Sequence, residues 1–213
     1  MGTIRNGANG GFSGKAGSIV GSSWNNINYI KGLSKISNKP ASQKQLDQRA
    51  RFATVLAYLG PIKDILIKGW KGQTANRATG FNMGVQHALS YAVAGDYPDY
   101  EIDKSLVQVS KGTLQKYAST AISSPSVGKL TLDWQPQVNK LNAFEMDVLF
   151  VLLYNEAHNL FLPFPDAGLR KDGTATLDIP AGYAGQTLHA YLFYISPEGN
   201  RQSNSAYVGP ITI

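Results

Sequence analysis

Apolar residues follow three different rhythms along this chain. From Ser42 to Ala92 they recur at helical spacing, from about residue 105 onward they alternate with polar ones, and over residues 7–39 Gly, Ser and Asn interrupt every run. Pro40 biases Lys39 toward extended geometry, and a first helix is predicted from Ser42, with Gln45 three positions on to complete a capping box. At about 100° per residue, Leu46, Ala50, Ala53 and Ala57 form one stripe, and Phe52, Val55, Leu56 and Leu59 form another on nearly the opposite side. A helix with two apolar faces is expected to be packed on both. Lys44, Asp47, Arg51, Thr54 and Tyr58 share the polar sector, while Arg49 falls between the stripes, where partial cover and a carboxylate or carbonyl partner are expected. Gly60-Pro61 ends this helix and starts a shorter one with Ile62, Ile65 and Leu66 on one face. A third is predicted from Phe81, Val85, Ala88, Leu89 and Ala92, closed by Gly95, with Asp96-Tyr97-Pro98-Asp99 opening a loop.

Beyond that loop the period changes to two. Leu106–Val109, Lys129–Trp134, Asp147–Tyr154, Leu160–Leu162, Thr174–Ile179, Leu188–Ile195 and Ala206–Ile213 are candidate strands, separated by Gly, Pro, Asn and Ser at the spacing of an all-β sandwich. Val148 to Tyr154 is apolar throughout, which predicts a central strand, and Trp134 is assigned to the core.

The glycine-rich start reads as a β-ribbon, with Ser18–Val20 and Ile27–Ile30 as strands and Trp24-Asn25-Asn26 as turn chemistry. Two strands alone are only marginally stable in water, so the ribbon must lie on the rest of its chain or on a partner subunit. From Lys31 to Arg51 the chain carries six basic residues (Lys31, Lys35, Lys39, Lys44, Arg49, Arg51) against Asp47 alone. The fold class expected is therefore α+β: a glycine-rich β-ribbon arm (1–40), a helical region of two to three helices (41–95) and an immunoglobulin-like β-sandwich (96–213).

Charge divides the chain at nearly the same place. Residues 1–95 hold twelve Lys/Arg against two acidic residues, and residues 96–213 hold eight against twelve. A basic half attracts polyanions or the acidic half of a neighbouring copy. The absence of cysteine excludes disulfides and thiolate metal sites. Met1–Gly7 lacks the apolar core of about 7–15 residues that a secretory signal needs, and the seven-residue run Val148–Tyr154 is far short of a membrane span, so a protein without a membrane span or signal peptide is expected.

Motif tests return no catalytic residue, cofactor site or metal ligand. In the phosphate-loop pattern Asn9 stands where the first glycine belongs and Ala16 where Ser or Thr should hold magnesium. Gly11-Phe12-Ser13-Gly14-Lys15 breaks the nucleophile-elbow pattern at its last position. His87, His158 and His189 share no metal spacing, His189 shares a strand face with Tyr191, and Glu145 and Asp147 are read as solvated residues on a strand edge.

Leu132-Asp133-Trp134, Tyr191–Ile195 before the turn Pro197-Glu198-Gly199-Asn200, and Ser203–Val208 as a last strand carry a resemblance to fibronectin-type and immunoglobulin-like domains over residues 105–213. The resemblance implies a sandwich and no particular activity. Gly11–Lys15, Val20–Trp24, Asn38-Lys39-Pro40 with Gln45 and Arg49, and Tyr97–Tyr100 make the whole chain resemble a bacterial domain-of-unknown-function family of about this length. Pro40–Ser42 through Gln45, Gln48-Arg49 and Phe52 is similar to stretches in phage virion proteins.

The expectation is a non-enzymatic structural or assembly protein that meets other copies of itself, or a larger virion-like or fibre-like assembly, through Trp24, Tyr29, Lys31, Lys35, Lys39, Lys44 and Arg51. Head-to-tail contact between basic and acidic surfaces would favour rings or fibres. The alternative is a module binding nucleic acid or acidic polysaccharide, with Trp24, Tyr29, Tyr58 and Trp70 as stacking groups among the lysines. Carbohydrate binding by Tyr183 or Tyr207 is a third class, which no pattern singles out.

Overall fold

The first change of rhythm, near residue 42, is also where the chain divides. The computed structural model describes residues 3–4, 10–24, 26–35, 39–73, 78–117 and 120–213, and residues 1–42 and 43–213 form two separate compact units. Asn38 and Asn25, cited above for the linker and the turn, lie outside the described residues.

The first unit is an antiparallel sheet in the order β1 (Thr3–Ile4), β2 (Phe12–Ala16), β3 (Ile19–Trp24), β4 (Ile27–Gly32). The pattern predicts two strands here, and the structure has these two, longer, with two more beside them. Trp24 pairs with Ile27 across a two-residue turn, and Asn26 takes a left-handed φ of 65°, which Asn tolerates better than most residues.

The second unit has three layers. Helices α1 (Gln43–Leu59), α2 (Lys63–Gly69) and α3 (Gly80–Tyr91) form the first, with a hairpin, β5 (Val93–Asp96) and β6 (Asp99–Ile102), beside them. The residues expected to form a loop at Asp96–Asp99 are the tip of that hairpin, and the boundary expected between residues 95 and 96 falls within β5. The second layer is the sheet β10 (Leu160–Leu169), β9 (Val148–Asn155), β12 (Thr187–Ile195), β13 (Ala206–Thr212), and the third is β11 (Thr174–Asp178), β8 (Lys129–Trp134), β7 (Thr120–Ser126).

Alternation along β9 and β12 explains the layering, because successive side chains leave opposite faces. Leu149, Val151 and Leu153 with Leu188, Ala190 and Leu192 face the third layer and pack on Leu130, Leu132, Trp134 and Leu177. Phe150, Leu152 and Tyr154 with Tyr191 and Phe193 face the helices and pack on Val55, Leu59, Ile62, Leu66 and Trp70. The apolar run Val148–Tyr154 is thus a central strand buried on both sides.

Four expectations need correction. Leu106–Val109 is not a strand: Val107 and Val109 are buried in the helical core, while the Val109 N–H donates to Ser205 Oγ. The first sandwich strand is β7, whose Ser-rich sequence with Pro125 hides it; Pro125 sits where its register shifts, as edge strands permit. On α1, Tyr58 is buried rather than polar-facing, with its hydroxyl 3.0 Å from that of Tyr191. Arg49, Ala53 and Ala57 are exposed instead. The inward stripe of the first half of α1 is polar: Asp47 accepts a hydrogen bond from the Tyr100 hydroxyl of β6, and Arg51 lies over the Tyr100 ring at 5.7 Å.

Lastly, Asp147 is not solvated. It is 0% exposed and pairs with Arg170, 1% exposed, at 3.0 Å. Arg170 also donates to the Gln115 carbonyl at 2.8 Å and lies 3.8 Å from the Tyr194 ring centroid.

Candidate interaction surface

The register of the ribbon decides which side chains share a face. Ser22 opposes Tyr29, Val20 opposes Lys31, and Trp24 opposes Ile27, while Lys15 of β2 opposes Val20. One face therefore runs from Trp24 and Ile27 at the turn through Tyr29 and Val20 to Lys15 and Lys31. Trp24 is 52%, Ile27 49% and Tyr29 42% exposed. The opposite face is closed in part by Phe12, whose ring crosses Gly21: a Cβ at Gly21 would lie 2.6 Å from Phe12 Cδ2. All six residues of β4 are exposed, and among the described residues the strand pairs with β3 alone, at one edge of the sheet.

Residues 1–42 contain five Lys/Arg and no Asp or Glu. This unit thus combines an apolar, aromatic surface with a field of one sign, the combination used for association with acidic partners.

Of the residues expected to meet a partner, Trp24, Tyr29 and Lys31 are brought to one face. Lys35 and Lys39 are exposed beyond the end of β4, and Lys44 is exposed in the first turn of α1. Arg51 departs from the expectation: it is half-buried against Tyr100, and its Nε is buried without a hydrogen-bond partner. Trp70 is 2% exposed and Tyr58 is core, so neither is available to stack on a base.

A second polar constellation escapes any linear motif. Lys104 Nζ lies 2.7 Å from Glu156 Oε1, His189 Nε2 lies 3.5 Å from Glu156 Oε2, and His189 Nδ1 lies 2.8 Å from the Tyr207 hydroxyl. Tyr191 donates to the Lys104 carbonyl at 2.8 Å, on the strand face it shares with His189. The Lys104 ammonium, then His189, hold the Glu156 carboxyl below its ordinary value, and Glu156 in turn raises Lys104. Each group is driven further into its charged form, so at neutral pH the pair acts as a fixed charge arrangement rather than a proton relay. Lys104 and Glu156 line an open groove of about 450 Å³ that they share with Tyr58, Tyr154 and Glu101. Lys104 follows β6, Glu156 follows β9, His189 and Tyr191 stand on β12 and Tyr207 on β13, and only the shared face of His189 and Tyr191 was readable beforehand. Among the described residues no group of His, Asp and Glu is arranged to hold a metal ion, and no helix is long and apolar enough to cross a membrane.

Residues 11–209 match the family of unknown function DUF6266, and the chain belongs to that family. No curated protein matches. About half of the chain is similar to solved structures containing fibronectin domains. The twitchin kinase region of C. elegans shares 11% identity at a TM-score of 0.35 over 48% of this chain, which spans 17% of the twitchin chain. The fn3 domain of human collagen alpha-1(XX) shares 16% identity at a TM-score of 0.31, over 46% of this chain and 84% of that one. The FN1–FN3 domains of chicken CNTN1 share 8% identity at a TM-score of 0.31, over 48% of this chain and 32% of that one.

Proposed function

We propose that this DUF6266 member is a non-enzymatic assembly protein, whose N-terminal ribbon associates with further copies of the chain or with a larger protein assembly. The observation that carries the reading is the ribbon face on which Trp24, Ile27 and Tyr29 stand exposed, on a sheet whose edge strand β4 pairs with β3 alone among the described residues. Exposed apolar surface rimmed by polar groups marks interaction sites, and an open strand edge is a template for further pairing. Tryptophan and tyrosine are also the residues on which binding energy concentrates.

Light scattering across a concentration series, at low and high salt, tests this. Association that grows with concentration and weakens in Trp24→Ala is expected; a monodisperse monomer at all concentrations refutes it.

A second reading is favoured by one observation: Lys15 and Lys31 share the face of Trp24 and Tyr29 in a unit without carboxylates. Lysines that track a phosphate backbone beside rings that stack on bases describe a shallow single-strand site. Titration with single-stranded DNA or an acidic polysaccharide at low salt separates the readings, since polyanion binding falls steeply with salt and its absence at low salt removes this alternative.

A further inference from the structure

If the ribbon assembles with a second copy, that copy must present a surface to receive it, and among the described residues the β5–β6 hairpin sets exposed carboxylates beside a groove. In the β5–β6 hairpin Asp96 opposes Asp99 and Ala94 opposes Glu101. These four share one face, because Val93 and Ile102, on the other, pack into the helical core. Asp96, Asp99 and Glu101 are all exposed, and residues 93–103 contain no Lys or Arg. The groove described above adjoins this face: Glu101 lines it, together with the Tyr58 and Tyr154 rings and Glu156. Lys104, also at the groove, is neutralised by Glu156 at 2.7 Å. Among other recesses, one of about 370 Å³ beside Val148 and Phe150 sets Asp166 and Glu198 against Lys68 and Lys71, and another, about 400 Å³ between α1 and α3 at Phe52, Leu56, Phe81 and Val85, is lined by no charged residue among those described. It could bury an indole but offers nothing to Lys15 and Lys31.

We propose, on the basis of the assembly reading, that the contact is head to tail. The Trp24–Ile27–Tyr29 face of one copy docks on the β5–β6 carboxylate face of the next. Trp24 enters the adjoining groove, and Lys15 and Lys31 meet Asp96, Asp99 and Glu101. Donor and acceptor are different surfaces, so each copy offers both and the assembly extends as a filament or closes as a ring, rather than stopping at a two-fold dimer.

The test uses the full chain in two charge-reversed forms. Lys15→Glu/Lys31→Glu gives the ribbon the sign of the hairpin, and Asp96→Lys/Asp99→Lys gives the hairpin the sign of the ribbon. Each alone is expected to raise the apparent dissociation constant of self-association at least about tenfold. An equimolar mixture is expected to restore it, because every ribbon in a mixed pair then meets a hairpin of opposite sign. Trp24 reports docking directly: Trp70 and Trp134 are 2% and 6% exposed, so a blue shift and reduced quenching of tryptophan emission on association come from Trp24. Circular dichroism checks that each variant folds, with Asp96→Asn/Asp99→Asn as the milder second form. If Trp24→Ala abolishes association but both hairpin variants associate as the wild type does, the docking site is refuted and the assembly reading stands. A closed dimer untouched by hairpin charge has the same meaning. Wild type that stays monomeric, or whose association ignores Trp24→Ala, refutes both.

Discussion

Removing one partner of the buried pair Asp147–Arg170 should cost far more stability than removing both. Both side chains are sealed from solvent. Asp147 Oδ2 accepts from Arg170 Nε at 3.0 Å and from the Phe144 N–H at 2.9 Å, and the guanidinium also serves the Gln115 carbonyl and lies over the Tyr194 ring. In Asp147→Asn the cation stays in the core without its counter-charge. In Arg170→Met the carboxylate keeps one N–H donor and the Gln115 carbonyl loses its partner. An uncompensated buried charge costs about 3–5 kcal/mol, which for a chain of this size lowers the melting temperature by roughly 6–20 °C. The double variant Asp147→Asn/Arg170→Met buries no charge and keeps a similar volume, so it should recover most of the loss. Denaturant unfolding of the four proteins, followed by tryptophan fluorescence, closes the double-mutant cycle. Trp134 makes a local reporter, because its indole N–H donates to the Arg170 carbonyl at 2.9 Å. Single variants within about 1 kcal/mol of wild type, or a double variant no more stable than the worse single one, would refute the reasoning.

Two further outcomes follow from burial. Desolvation raises the hydroxyl pKa of Tyr58, Tyr117 and Tyr191 well above the ordinary phenol value and that of Tyr194 to about 12. The folded state thus holds protons that the unfolded state releases near pH 10, so this contribution to stability is intact below about pH 10 and is lost as pH rises through the folded values. An alkaline titration should show part of the phenolate absorbance appearing only together with loss of the circular dichroism signal, and complete ionisation of a still-folded chain would contradict it. In the ribbon, Gly21→Val should break the approach of Phe12 and weaken association while leaving the melting of the second unit unchanged; association equal to wild type would show that the ribbon face does not depend on this packing.

How much of this was legible in the sequence depended on where polar residues fell. Lys129–Trp134 and Thr174–Ile179 alternate cleanly, and the structure pairs them as strands. The run Val148–Tyr154 announced a strand covered on both sides, though not that helices supply one of the covers. Elements that meet their neighbours through polar groups were misread. The inner face of α1 begins with Asp47 and Arg51, which a hydropathy pattern sends to solvent, and only the presence of Tyr100 opposite makes them inward residues. Asp147 looked solvated because Arg170, which neutralises it, lies on the far side of β9 and β10. Strand β7 was missed because Ser, Pro and Ala carry little β-propensity, and the strand is held by pairing with β8. On the ribbon, Trp24, Tyr29 and Lys31, named from the sequence, share one face, while Lys15 joins them only through strand register.

The two-sided burial of β9 and β12 limits how this sandwich can be reused. An antiparallel sandwich whose outer sheet faces are polar can stand by itself in water. Here Phe150, Leu152, Tyr154, Tyr191 and Phe193 stand on an outer face that the helices occupy. A fragment cut at residue 105 would expose this aromatic wall and aggregate. In this protein the sandwich is one half of a larger folding unit and cannot be cut free of its helices without uncovering that face.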